Sequence, residues 1–121
     1  MATYDNLRVY KAVYDLMMEV FRFGNVQRDI KFTLVEDLKK EIIKIIVLIY
    51  RANATTEKSE IIGEARENMV VVKLYIRMLC DLKQISPKRF GALSEQTESI
   101  SKQLSAWQKY NSNSSSASQN D

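Results

Sequence analysis

A chain of 121 residues with 45% hydrophobic and 27% charged side chains has the size and balance of one globular domain. It has no His and one Cys, which excludes an intrachain disulfide, argues against metal sites built on His and Cys, and favours a cytoplasmic location. The net charge of +3 permits an acidic partner without requiring one, and only 3 Gly and 1 Pro leave few turns, so a few long helices are expected.

The opening MATYDNLRVYK has neither the basic start nor the apolar stretch of a signal peptide. The first helix is expected from about Thr3 to Phe23. Val9, Val13, Leu16, Val20 and Phe23 recur in steps of four and three, which puts them on one helix face. Tyr10, Tyr14, Met17 and Phe21 widen that face, and Gly24-Asn25 reads as a stop.

The second helix is expected from Thr33, with Glu36 three residues on as a capping box, to about Ala52. Asn53 suits a left-handed terminus. The seam is Leu38, Ile42, Ile45 and Ile49. The segment EIIKIIVLIYRAN, 41–53, offers more than a seam: Ile43, Ile46 and Tyr50 form a neighbouring apolar face, and Leu48 lies on the opposite flank. A membrane span needs about 20 apolar residues, and this run is too short and contains Lys44. The helix either sits deep in its own bundle or offers its surplus face to another subunit. Large exposed apolar patches are rare on monomers, so Ile43, Ile46 and Tyr50 are read as oligomer-interface candidates.

A short connection, 54–56, follows. Thr55 or Thr56 can cap the third helix, and Glu57, Glu60 and Glu64 suit its positive N-terminal end. Ile62, Ala65, Met69, Val72, Ile76 and Leu79 keep an unbroken heptad spacing, so the β-branched VVV at 70–72 does not argue for a strand. Gly63 inside this helix points to a close helix crossing or to a flexible break. Ser86-Pro87 opens the fourth helix as N-cap and first residue, with Ile85 and Phe90 at staple positions. Its seam is Phe90, Leu93, Thr97, Ile100, Leu104 and Trp107. The closing NSNSSSASQND lacks anything to bury. The fold class expected is all-α: an antiparallel up-down-up-down four-helix bundle over 1–110, then a disordered Ser/Asn-rich tail, 111–121.

Catalytic chemistry has little to stand on. No His is present as a general base, and no GxSxG, Walker A or GxGxxG pattern occurs. Cys80 reads as a buried packing thiol. The carboxylate pairs Glu36/Asp37 and Glu64/Glu67 fit helix N-terminal turns or wet faces. No enzyme, cofactor or metal is expected.

The cations are better organised. At about 100° per residue, Lys40, Lys44 and Arg51 fall within about 40° of arc on the second helix, away from its seam. Arg66, Lys73 and Arg77 fall within a similar arc on the third, roughly a quarter-turn from its own seam. Val47 and Val70 lie within the respective stripes. Either stripe is a solvated face or a phosphate-contacting one. Arg22, Arg28, Lys31, Lys83, Lys88 and Arg89 fall near helix ends, where clustering would concentrate the field. Tyr50 and Tyr75 are stacking or packing residues. Nothing supports base-specific readout, so any nucleic-acid contact would be made with the phosphate backbone.

The blocks RDIKFTLVEDLKKEIIKIIVLIYRAN (28–53), ARENMVVVKLYIRMLCDLKQIS (65–86) and LSEQTESISKQLSAW (93–107) resemble the small four-helix accessory variability determinant proteins of diversity-generating retroelements. Those are similar in turn to the bundle proteins encoded in intervening sequences of bacterial large-subunit rRNA genes. The resemblance spans about Tyr14 to Trp107, most specifically in Arg28 with FTLVEDLKKE, in YRAN and in IRMLCDLKQIS. It implies a non-enzymatic homopentamer whose basic surface binds RNA or DNA and a reverse transcriptase. On this chain the matching basic positions are Lys39, Lys40, Lys44, Arg51, Arg66, Lys73 and Arg77. The alternative is a structural or protein-only adaptor of the rRNA intervening-sequence type.

Overall fold

The computed structural model describes the backbone of residues 7–120 and the side chains of residues 7–111. Four helices account for it, and no strand occurs among the described residues. Helix α1 is Arg8–Phe21. Helix α2 is a continuous rod, 28–53, made of an α-turn Arg28–Ile30, a π-helical segment Lys31–Val35 and an α-helix Glu36–Asn53. Helix α3 is Lys58–Asp81 and helix α4 is Pro87–Asn120. The expected start of the first helix at Thr3 lies outside the described residues, as do the side chains of the expected tail beyond Asn111. Among the described residues no helix is long and apolar enough to cross a membrane.

Helix α1 packs on α2 and α4, and α3 packs on the same two, so the four enclose one core. The seams read from the sequence line it: Val13, Leu16 and Val20 meet Leu38, Ile42, Ile45 and Ile49, with Ile62, Met69, Ile76 and Leu79 and then Leu93, Ile100 and Leu104. Truncating one of these leucines to Ala removes buried surface and leaves a cavity, at a cost of about 2–5 kcal/mol. Thr97 is the buried polar member. Its hydroxyl donates to the Ser94 carbonyl at 2.9 Å, so burial leaves nothing unpaired.

The helix ends depart from the sequence reading. Helix α1 stops at Phe21, and Arg22 and Phe23 N–H tighten the last turn onto the Glu19 and Val20 carbonyls. Helix α2 begins at Arg28, five residues before the expected Thr33. The Thr33 hydroxyl does not cap: it donates back to the Asp29 carbonyl at 2.7 Å. The cap comes from elsewhere in the chain, because Gln27 N–H donates to Gln84 Oε1 at 2.8 Å. Lys31 stands one heptad before fully buried Leu38 and in a regular helix would fall within about 20° of it. The wider π turn re-phases the rod, and Lys31 is exposed.

At the other end of α2 no left-handed residue is used. Instead the Lys58 ammonium donates to the Ala52, Asn53 and Thr55 carbonyls at 3.0, 3.5 and 2.6 Å. Helix α3 ends at Asp81, and Lys83, two residues beyond, is the one described non-glycine residue with positive φ, at 60°. Lys83 N–H donates to the Cys80 carbonyl (3.0 Å) and Gln84 N–H to that of Leu79 (2.8 Å), the two bonds of a Schellman ending. Ser86 caps α4 as expected, its Oγ accepting from Arg89 N–H at 3.1 Å. Ile85 is buried and Phe90 packs on the core at the two staple positions.

Gly63 marks a close approach of α3 to α4. A Cβ there would stand 2.8 Å from Gln108 Nε2. That nitrogen donates to the Ser59 carbonyl at 2.9 Å, and Gln108 Oε1 accepts from Arg66 Nη1 at 2.6 Å.

Candidate nucleic-acid interface

The charged strip of α2 follows from its burial pattern. Ile42, Ile45, Leu48 and Ile49 turn inward, which leaves Lys40, Lys44 and Arg51 outward on one side. Lys44 Nζ lies 3.2 Å from Glu41 Oε1. The side chains of Lys40 and Arg51 make no ion pair or hydrogen bond with any described residue, so no carboxylate pairs with their charge. Alongside run Ile43, Val47 and Tyr50, each about half exposed. Of the interface candidates, Ile43 and Tyr50 are thus open, whereas Ile46 is half-buried against the core. Lys39 stands apart from the strip: half-buried, it turns toward α1, with Nζ 4.6 Å from the Phe21 ring centroid and 3.4 Å from Glu36 Oε1.

The α3 stripe has a different character. Arg66 donates to Gln108 and Lys73 Nζ to Glu98 Oε1 at 3.0 Å, both on α4. Arg77 Nε donates to both oxygens of Asp81, at 3.2 and 3.3 Å. The hydrogen bond from Lys73, then its charge, hold the Glu98 carboxyl below its ordinary value of 4.5. Every cation of this stripe therefore has an acceptor inside the chain. The two stripes also do not merge. The α2 strip opens on the α2–α3 groove, beside Glu64 and Asn68. The α3 stripe opens on the α3–α4 groove, beside Ser101 and Gln108. Exposed Val70 lies within the α3 stripe, and exposed Leu74 lies on the α3 surface between the two by helical phase.

One end of the bundle gathers what the sequence could place only near helix ends. The Gln27–Gln84 bond joins the start of α2 to the end of α3. Arg89 joins the start of α4 to the end of α1: its Nη2 donates to the Glu19 carbonyl at 3.2 Å and pairs with Glu19 Oε2 at 3.9 Å, and its guanidinium stands 4.5 Å over Phe23. Arg22, Arg28, Lys31, Lys83, Lys88 and Arg89 therefore all belong to this end, and of these Arg22 and Arg89 line a groove with Asn25, Gln84 and Ser86. Two exposed phenyl rings, Phe21 and Phe32, stand there too. The sequence reading placed Phe21 beside the helix seam and gave Phe32 no role.

Of the remaining candidates, Tyr75 is half-buried against the core, the packing reading of that residue. Cys80 is a free thiol, half-buried rather than fully enclosed. Among the described residues no three His, Cys, Asp or Glu side chains come together as a metal-binding group. Compared with known proteins, the chain matches no family model and no curated relative.

Proposed function

We propose that this chain is a non-enzymatic accessory protein that binds RNA or DNA through the phosphate backbone and works with a reverse transcriptase in a diversity-generating retroelement. The observation that carries the nucleic-acid part is the α2 strip, where Lys40 and Arg51 stand exposed without an internal partner beside Lys44. Cations free of carboxylates can neutralise phosphates and release their counterions. The reverse transcriptase and the retroelement setting rest on the resemblance carried by FTLVEDLKKE, YRAN and IRMLCDLKQIS. The free thiol of Cys80 favours a cytoplasmic setting.

The bundle is read as antiparallel, up-down-up-down. Contacts from Gln108, late in α4, to Ser59 at the start of α3, from Arg89 at the start of α4 to Glu19 near the end of α1, and from Gln27 before α2 to Gln84 after α3 pair starts with ends, which supports that arrangement. The protein is read as a homo-oligomer, a pentamer by resemblance. Exposed Ile43, Val47 and Tyr50 support an interface on α2, with Val70 and Leu74 on α3 as a second apolar area. Light scattering checks this directly, and a monomer mass at micromolar concentration contradicts it.

Fluorescence anisotropy with labelled RNA and DNA tests the nucleic-acid reading. Reversing Lys40, Lys44 and Arg51 to Glu is expected to weaken binding and to flatten the salt dependence by about one unit of slope per lost phosphate contact. Unchanged affinity contradicts the α2 strip as the contact. The engagement of Arg66, Lys73 and Arg77 inside the chain favours a second reading, a protein-only adaptor of the rRNA intervening-sequence type whose cations serve solubility. That adaptor keeps its protein partner and never binds RNA, whichever stripe is reversed.

A further inference from the structure

Phe21 keeps 50% and Phe32 61% of its surface open at the end of the bundle where α1 finishes and α2 begins. A cation stands against each ring. Lys39 Nζ is 4.6 Å from the Phe21 centroid, and the Arg28 guanidinium carbon is 5.8 Å from that of Phe32. Both rings belong to one side of the molecule. Phe32, Glu36 and Lys39 follow at four and three residues on α2, and Lys39 reaches across to Phe21 on α1.

The surrounding charge is positive and partly unspent. Arg28 and Lys31 pair with no carboxylate among the described residues. Arg22 and Lys39 hold theirs, Glu19 and Glu36, at 3.4 Å, beyond the range of a tight charge-assisted bond. Asp29 is the opposing charge on the same turn. The π-helical segment contributes to the arrangement, since it keeps Lys31 out of the core while Phe32 remains outside. Short π segments are rare and recur at functional sites.

Exposed aromatic rings interleaved with cations are what an unpaired nucleotide strand requires. Every base has a π-face to stack, and every linkage has a phosphate to neutralise. A duplex keeps its base faces stacked internally and could use only the cations. An acidic peptide would likewise make no use of the ring faces. Resting on the nucleic-acid reading above, we infer that this end of the bundle binds single-stranded RNA or DNA. Bases stack on Phe21 and Phe32, and the adjoining phosphates lie against Arg22, Arg28 and Lys31.

The test uses the full chain and three fluorescein-labelled probes at low salt: an oligothymidylate, an abasic strand of equal length, and a hairpin duplex. The wild-type protein is expected to bind oligothymidylate at least about fivefold more tightly than the abasic strand, the effect of one stacked base or more. The double variant F21L/F32L keeps apolar bulk and removes the ring faces. It is expected to lose that preference while binding the abasic strand as before. Equal binding of the two strands by the wild-type protein overturns the inference without any variant, as does a preference that survives in F21L/F32L. Binding of the duplex alone also overturns it and leaves the nucleic-acid reading standing. Binding of none of the three overturns both.

Discussion

Single residues decide most of what is distinctive here. In the run EIIKIIVLIYRAN, burial of Ile42, Ile45, Leu48 and Ile49 consumes more of the α2 circumference than a seam alone. What stays outside is narrow: Ile43, Val47 and Tyr50, then Lys40, Lys44 and Arg51 beside them. The lone cation of the run, Lys44, is thus part of a line and not an interruption. Lys73 shows the other fate of a cation. Its ammonium donates to Glu98 and holds that carboxyl below 4.5. A carboxyl whose folded pKa lies below its unfolded one contributes stability that is present above the unfolded value. That stability is lost as pH falls through the folded value. Thermal melts of the wild type and E98Q should therefore differ at pH 6–7, with the wild type slightly higher, and converge as pH drops below 4.5. The gap is small, because the pair is exposed and screened. A gap that widens toward acid would contradict the pairing.

At the scale of elements, the helices were legible and their ends were not. Hydrophobic spacing located all four, because a seam is written locally, one residue every three or four. Ser86-Pro87 was legible for the same reason: the cap and the helix it caps are adjacent. The start of α2 was hidden because its cap, Gln84, lies 57 residues away and its first turns break the heptad through a π segment. The end of α2 was misread because a side chain from the next helix, Lys58, takes the carbonyls a left-handed Asn53 was expected to serve. Lys83 was equally unforeseen. A side chain in the left-handed region costs about 1 kcal/mol that glycine avoids. K83G is therefore expected to raise unfolding stability by about 0.5–1 kcal/mol in urea, with the denaturant slope unchanged. A loss of stability would mean that the lysine side chain secures the turn by contacts that outweigh its backbone strain.

For the whole molecule, the order in which helices pack determines what the charge pattern can do. Angular phase alone makes the two cationic stripes look alike. Packing separates them, because α4 brings Glu98 and Gln108 up to the α3 stripe and nothing comparable reaches Lys40 or Arg51. The positions of the stripes were readable in the sequence, then, but not which of them stays free. The same packing assembles the basic end of the bundle from four termini distant in sequence, which local reading could place only near helix ends. Lys39, matched by resemblance to the basic surface, turns instead toward Phe21. The central claim is that the exposed charge meets phosphate. Its most direct measurement is the affinity of the wild-type protein for labelled RNA and DNA over a range of salt. Binding at low salt is expected to weaken linearly in log–log form, with a slope of about −2 to −3 if the three α2 cations each meet a phosphate. Failure to bind either polymer at low salt would contradict it.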